Sequence, residues 1–139
     1  MNIAVRYQSR GGNSKAVAEA IAKEAEVTAE PLDVPLDGQV DLLFIGGGIY
    51  AWNIDNALRE YLQNLDPNTV KAIAAFTTGG MFSGTGKIAT EVKARGISVC
   101  EVAMTMRMGF QNYAGKKGFA TLSDKQNRKI VDFVKNAMK

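Results

Sequence analysis

Residues 9–14, Ser9-Arg10-Gly11-Gly12-Asn13-Ser14, follow the apolar-rich run 2–7 and precede a helical pattern over 15–25. A loop that hands a strand to a helix is placed to hold an anion. Unpaired N–H groups at the helix start face it, and the helix dipole favours negative charge there. Gly11 and Gly12 let the backbone wrap a small group, and Ser9 and Ser14 add hydroxyl donors. Every part suits a phosphate. An ordinary turn capped by Asn13 or Ser14 accounts for those two residues, but not for Ser9 and the glycine pair together.

Two further loops offer complementary chemistry. Residues 46–55 run Gly46-Gly47-Gly48-Ile49-Tyr50-Ala51-Trp52-Asn53-Ile54-Asp55. The glycines leave room for something flat to approach the backbone. Tyr50 and the lone tryptophan, Trp52, then form a stacking surface, although one of them would also serve to pack the loop onto the next helix. The third loop, 77–86, carries Thr77, Thr78, Gly79, Gly80, Phe82 and Ser83, and competes with the simpler reading of a lid. A fourth, 107–115, is expected on the same edge.

The chain has 139 residues, 46% of them apolar, which suits a single domain over 1–139 with a proper core. It contains no histidine and one cysteine, Cys100, so Ser-His-Asp and Cys-His catalysis, an internal disulfide and a cysteine-built zinc site are excluded. Chemistry must come from a cofactor or from carboxylates, Tyr, Lys and Arg. No membrane span or secretory signal is legible, and a cytoplasmic protein is expected. The net charge of +3 is uneven: residues 1–106 sum to −3 and residues 107–139 to +6. The basic third would steer an acidic partner or simply form a solvated face.

These loops must be held by a scaffold, and the pattern supplies one. Apolar runs at 2–7, 27–33, 41–47, 71–78 and 97–104 read as strands. Helical spacing appears at 15–25, 57–65, 87–95 (closed by Gly96) and 125–138, the last opened by a Ser123/Gln126 capping box. Strands alternating with helices predict a parallel sheet covered on both faces, with ligands at the carboxyl ends of the strands. Several phosphate-binding alternatives fail. Residues 84–87, GTGK, lack the first glycine and the Ser/Thr of a nucleotide P-loop. SRGGNS is not G-x-G-x-x-G. A receiver domain needs carboxylates where Tyr7 and Gly46 stand, and a phosphatase needs Cys and Arg in the first loop.

In this arrangement the residues resemble the flavodoxin family over essentially the whole chain. The family's phosphate loop, Ser/Thr-x-Thr-Gly-Asn-Thr, appears as residues 9–14; Ala51-Trp52-Asn53-Ile54 is similar to its Thr-Trp-Asn-Ile loop; residues 77–83 fall at its other flavin-ring loop. The resemblance implies an α/β flavodoxin-like three-layer sandwich with a five-stranded parallel sheet in order 2-1-3-4-5 and non-covalently bound FMN. Ser9, Arg10, Gly11, Gly12, Asn13 and Ser14 would take the phosphate. Gly48, Tyr50, Ala51, Trp52 and Asn53 would line one side of the ring, and Thr77, Thr78, Gly79 and Phe82 its polar edge and far side. A backbone carbonyl near Asn53 would favour the one-electron-reduced state. Gly11 in place of a hydroxyl, Arg10 beside a phosphate that the family binds with neutral groups, and the positive net charge all depart from the family's pattern.

The leading expectation is a low-potential electron-transfer carrier: a monomer serving redox partner proteins, with no nucleic acid, no membrane, no metal and no catalytic side chain. Two alternatives stay open. One is a small FMN-dependent oxidoreductase acting on a quinone or porphyrinogen. The other is a flavin-free interaction module.

Overall fold

The structure, a computed structural model, describes residues 1–50, 53–79, 84–108 and 122–139. Strand β1 (Ile3–Gln8) leads into helix α1 (Asn13–Ala25), then β2 (Ala29–Pro31), β3 (Val40–Tyr50), β4 (Asn53–Ile54), α2 (Asn56–Gln63), β5 (Val70–Gly79), α3 (Thr85–Lys93), β6 (Ser98–Val99), β7 (Met104–Arg107) and α4 (Asp124–Ala137). The sheet runs β2-β1-β3-β5-β6, with β7 also on β5 and β4 on β3. All pairings are parallel except β3–β4. This is the expected three-layer sandwich, with β6 and β7 together as its fifth strand.

Alternation along the central strands builds both cores, because successive side chains leave opposite faces. Leu42, Phe44, Ala74 and Phe76 face α1 and α4, meeting Val17, Ile21, Ile130 and Val134. Phe44 and Phe133 make an edge-to-face pair with ring centres 5.6 Å apart. Leu43, Ile45, Ile73 and Ala75 face α2 and α3, meeting Leu58, Leu62, Ile88 and Val92.

Three boundaries differ from expectation, each for a local reason. The expected third strand, 41–47, does not stop at its glycines: β3 continues through all three to Tyr50 and turns back as β4, pairing Tyr50 with Asn53. The expected fifth strand, 97–104, is broken. Ser98 and Val99 pair with Ala72 and Ile73, whereas Met104 pairs with Phe76, so residues 100–103 stand opposite only residues 74–75. The two extra residues cannot be accommodated in a regular ladder. The second strand shrinks to three residues ending at Pro31, as suits proline at a sheet edge. Gly96 closes α3 as expected. At φ +79 its N–H donates to Lys93 O, and the Ile97 N–H donates to Val92 O.

Candidate functional site

The carboxyl ends of β1, β3 and β5 lie side by side. Gln8 is in register with Gly47, Gly47 with Thr77, and Gly48 with Thr78. The loops that leave these three strands therefore meet at one end of the sheet.

The first loop differs from an ordinary capped turn. The N-cap of α1 is Gly12, not Asn13 or Ser14, and no side chain caps the helix. Gly12 sits at φ +96, a left-handed conformation that favours glycine. The loop is closed instead by the Gly12 N–H donating to Ser9 Oγ at 3.0 Å. That bond uses a lone pair of Ser9 and leaves its O–H free to donate. By contrast, α2 is capped by Asp55, whose Oδ1 accepts from the Ala57 N–H at 2.7 Å, and α4 by the reciprocal Ser123/Gln126 box. The first-turn N–H groups of α1 thus lack the side-chain acceptor that those two helices have.

Two carboxamide oxygens at this loop, Gln8 Oε1 and Asn13 Oδ1, are buried without a hydrogen-bond partner. Buried polar atoms are normally paired, so these call for a ligand or solvent. Ser14 is turned elsewhere: its hydroxyl and that of Thr78 share a buried hydrogen bond of 2.6 Å. One of the two donates, and the other keeps a proton of its own to give. This pair ties the first loop to the end of β5. Thr77 is fully buried and its Oγ1 accepts weakly from the Gly84 N–H at 3.5 Å.

Arg10 extends away from its own loop. Its Nε and Nη2 donate to Asp55 Oδ2 at 2.9 and 2.6 Å, and its guanidinium carbon lies 3.8 Å from the centre of the Tyr50 ring. Asn53 holds the stem of the β3–β4 turn, its Oδ1 accepting from Arg59 Nη2 at 2.6 Å and from the Ile54 N–H at 2.9 Å.

The glycine triplet does not leave open space for a flat group. The space beside each glycine is filled by the protein itself. A Cβ on Gly46 would collide with the backbone oxygen and ring of Phe76; on Gly47 it would lie 2.9 Å from Gln8 Oε1 and 3.2 Å from Leu58; on Gly48 it would lie 2.6 Å from the Tyr50 hydroxyl. Backbone packing explains Gly46, and at Gly47 and Gly48 the nearest atoms are the ends of the Gln8 and Tyr50 side chains, so the triplet as a whole is not evidence for a flat ligand.

Ser9, Gly11, Gly12, Asn13, Gly48, Tyr50, Asn53, Thr77, Thr78 and Gly79 lie in or beside the strand ends and loops described above. Ala51, Trp52 and Phe82 lie outside the described residues, as does most of the 107–115 loop. Sequence reasoning missed Gln8 and Asp55. Asp55 was readable as a helix cap, but its pairing with a residue 45 positions away was not. Gln8 gave no sequence signal beyond its place at a strand end. Among the described residues no cluster of metal-ligating side chains exists, and no helix is long and apolar enough to cross a membrane.

Comparison with known proteins places these loops in context. A family model described as a flavodoxin domain matches residues 4–131. No curated protein matches the sequence. Among solved structures, oxidised flavodoxin 2 from Bacillus cereus is 13% identical with a TM-score of 0.73, covering 99% of this chain and 98% of that one. Two-electron reduced flavodoxin from Megasphaera elsdenii is 14% identical with a TM-score of 0.61, covering 99% of both chains. The flavodiiron protein from Giardia intestinalis is 13% identical with a TM-score of 0.71; the match covers 99% of this chain but only 36% of that larger protein. At these identities the likeness is one of fold.

Proposed function

This chain belongs to the flavodoxin family, and from that premise we propose that it binds FMN and passes electrons between redox partner proteins. The observation that carries the reading is the first loop: a helix that starts on left-handed Gly12 with no side-chain cap, beside two buried, unpartnered carboxamide oxygens. An uncapped helix start fits a phosphate. The carboxamides fit the hydroxyls of a sugar-alcohol chain, since a hydroxyl both donates and accepts and so satisfies an amide in either orientation.

In this reading FMN supplies reversible one- and two-electron transfer, and the protein binds it, orients it and sets its potentials. The Ser9 O–H and the backbone N–H groups of Gly11, Asn13 and Ser14 hold the phosphate, while the Gly12 N–H stays on Ser9 Oγ. The backbone of Gly48 and the hairpin stem of Tyr50 and Asn53, with Ala51 and Trp52 between them, line one side of the ring. Gly79 and the backbone of Thr77 and Thr78 take its edge, and Phe82 its far side. The Ser14–Thr78 hydroxyl pair holds the two halves at a fixed spacing. No side chain is assigned as acid or base.

The test is a fluorescence-quenching titration of flavin-free protein with FMN and, in parallel, with riboflavin. Tight FMN binding with much weaker riboflavin binding is expected, because only FMN reaches the uncapped helix. Absence of binding by either flavin would overturn the proposal.

A further inference from the structure

Arg10 belongs by sequence to the 9–14 loop, but by contact to Tyr50 at the end of β3 and Asp55 at the start of α2. Its guanidinium makes two hydrogen bonds to one carboxylate oxygen of Asp55 and stacks 3.8 Å above the Tyr50 ring. Asp55 is fixed in turn, because its other oxygen caps α2. The pair is shielded on one side only: the Asp55 side chain is 10% exposed and that of Arg10 60%. The Tyr50 ring is therefore engaged by the guanidinium, and its hydroxyl lies against the Gly48 backbone. A guanidinium pinned by a fork of hydrogen bonds and seated on an aromatic face is preorganised in a way that a free surface arginine is not.

We propose that Arg10 is a positioning residue for the ring-binding half of the site, not a phosphate ligand. Pinned by Asp55, it holds Tyr50 in place and sets a cation and a carboxylate side by side next to the flavin ring. This rests on the FMN reading above. The pair then has two separable effects. As a mechanical unit it holds the Tyr50 ring, so losing either member weakens binding of any flavin, phosphorylated or not. As two opposite charges it acts on the reduced flavin with opposite signs. The cation favours the extra electron density and the carboxylate opposes it.

The experiment uses the whole chain as wild type, Arg10→Gln, Asp55→Asn and the double variant, each titrated with FMN and with riboflavin, followed by the midpoint potential of bound FMN. Asparagine is itself a good N-cap, so α2 keeps its start in Asp55→Asn. Each single variant is expected to weaken FMN and riboflavin by the same factor, about threefold to tenfold given an exposed ion pair plus a cation–π contact. The double variant should be no weaker than the weaker single one. The potential should fall in Arg10→Gln, rise in Asp55→Asn and return towards wild type in the double variant. Loss of FMN affinity alone in Arg10→Gln would make Arg10 a phosphate ligand and overturn the proposal. Unchanged affinities would do the same, as would potentials moving in one direction in both single variants. Failure of the wild type to bind either flavin is a separate result. It is read before any variant and overturns the FMN reading together with this one.

Discussion

At the scale of single residues, the first loop works by what its groups lack. Asn13 occupies the first turn of an uncapped helix, and its buried Oδ1 has no partner. Asn13→Asp separates phosphate binding from ring binding. The helix dipole favours a carboxylate in the first turn by about 0.3–1 kcal/mol, but burying that charge without a partner costs more. The same charge opposes a phosphate. Two like charges at contact repel by about 4 kcal/mol at an effective dielectric near 20, and a residual 1.4 kcal/mol after solvent screening is tenfold in Kd. FMN affinity should therefore fall about tenfold or more, riboflavin affinity, which loses only the amide's contact with the sugar-alcohol chain, should fall clearly less, and the flavin-free chain should melt at a lower temperature. Parallel titrations with the two flavins and a thermal melt would check this; equal loss of both would remove the phosphate from this loop. The loop's place between a strand and a helix was legible from the chain alone, because the apolar run 2–7 and the helical spacing over 15–25 bracket it. The partners of its residues were not legible. That Ser14 would face Thr78, 64 residues away, and Arg10 would leave for Asp55 depends on loops meeting in space.

At the scale of elements, sequence pattern located the helices because their apolar spacing and terminal signals agree, as at Ser123/Gln126 and Gly96. It failed where backbone geometry overrode composition. Glycines at 46–48 look like a stop, but β3 runs on through them to Tyr50, and Gly46 is needed where the strand passes Phe76. Gly46→Ala should therefore destabilise the fold by about 1–3 kcal/mol, the range for overpacking a tight interior, measured by urea unfolding. A loss of less than half a kcal/mol would mean that β3 and β5 are not packed as described. Glu26 gives a prediction of opposite sign. It closes α1 at φ 60, with its own N–H donating to Lys23 O and the Val27 N–H to Ala22 O. Gly96 makes the same closure at the end of α3 with glycine in that position. Glu26→Gly relieves a left-handed strain of about 1 kcal/mol, so the urea midpoint should rise with an unchanged slope.

At the scale of the whole molecule, binding and stability are divided between the two ends of one sheet. The loops that would meet a ligand leave the carboxyl ends of β1, β3 and β5. At the opposite end Asp41, the second residue of β3, ties the same three strands together. Its Oδ2 accepts from the Asn2 N–H at 2.7 Å, just before β1, and its Oδ1 lies 3.4 Å from Nζ of Lys71 at the start of β5. The backbone hydrogen bond from Asn2, followed by Lys71, lowers the carboxyl pKa below its ordinary value. A carboxylate whose pKa is lower in the folded chain binds fewer protons there than when unfolded. Its contribution to stability is thus complete above the unfolded pKa and disappears as pH falls through the folded one. The Asp41 contribution should therefore fade as pH falls below the ordinary carboxylate range, about pH 4. Asp41→Asn should be less stable than wild type near neutrality and should approach it in acid, a difference readable from urea midpoints across the pH series. Because Asp41 acts at the far end of the strands, the same substitution should leave FMN affinity at pH 7 unchanged. A changed affinity would mean that the two ends of the sheet are mechanically coupled, and the loops could not then be treated as a site carried by an independent scaffold.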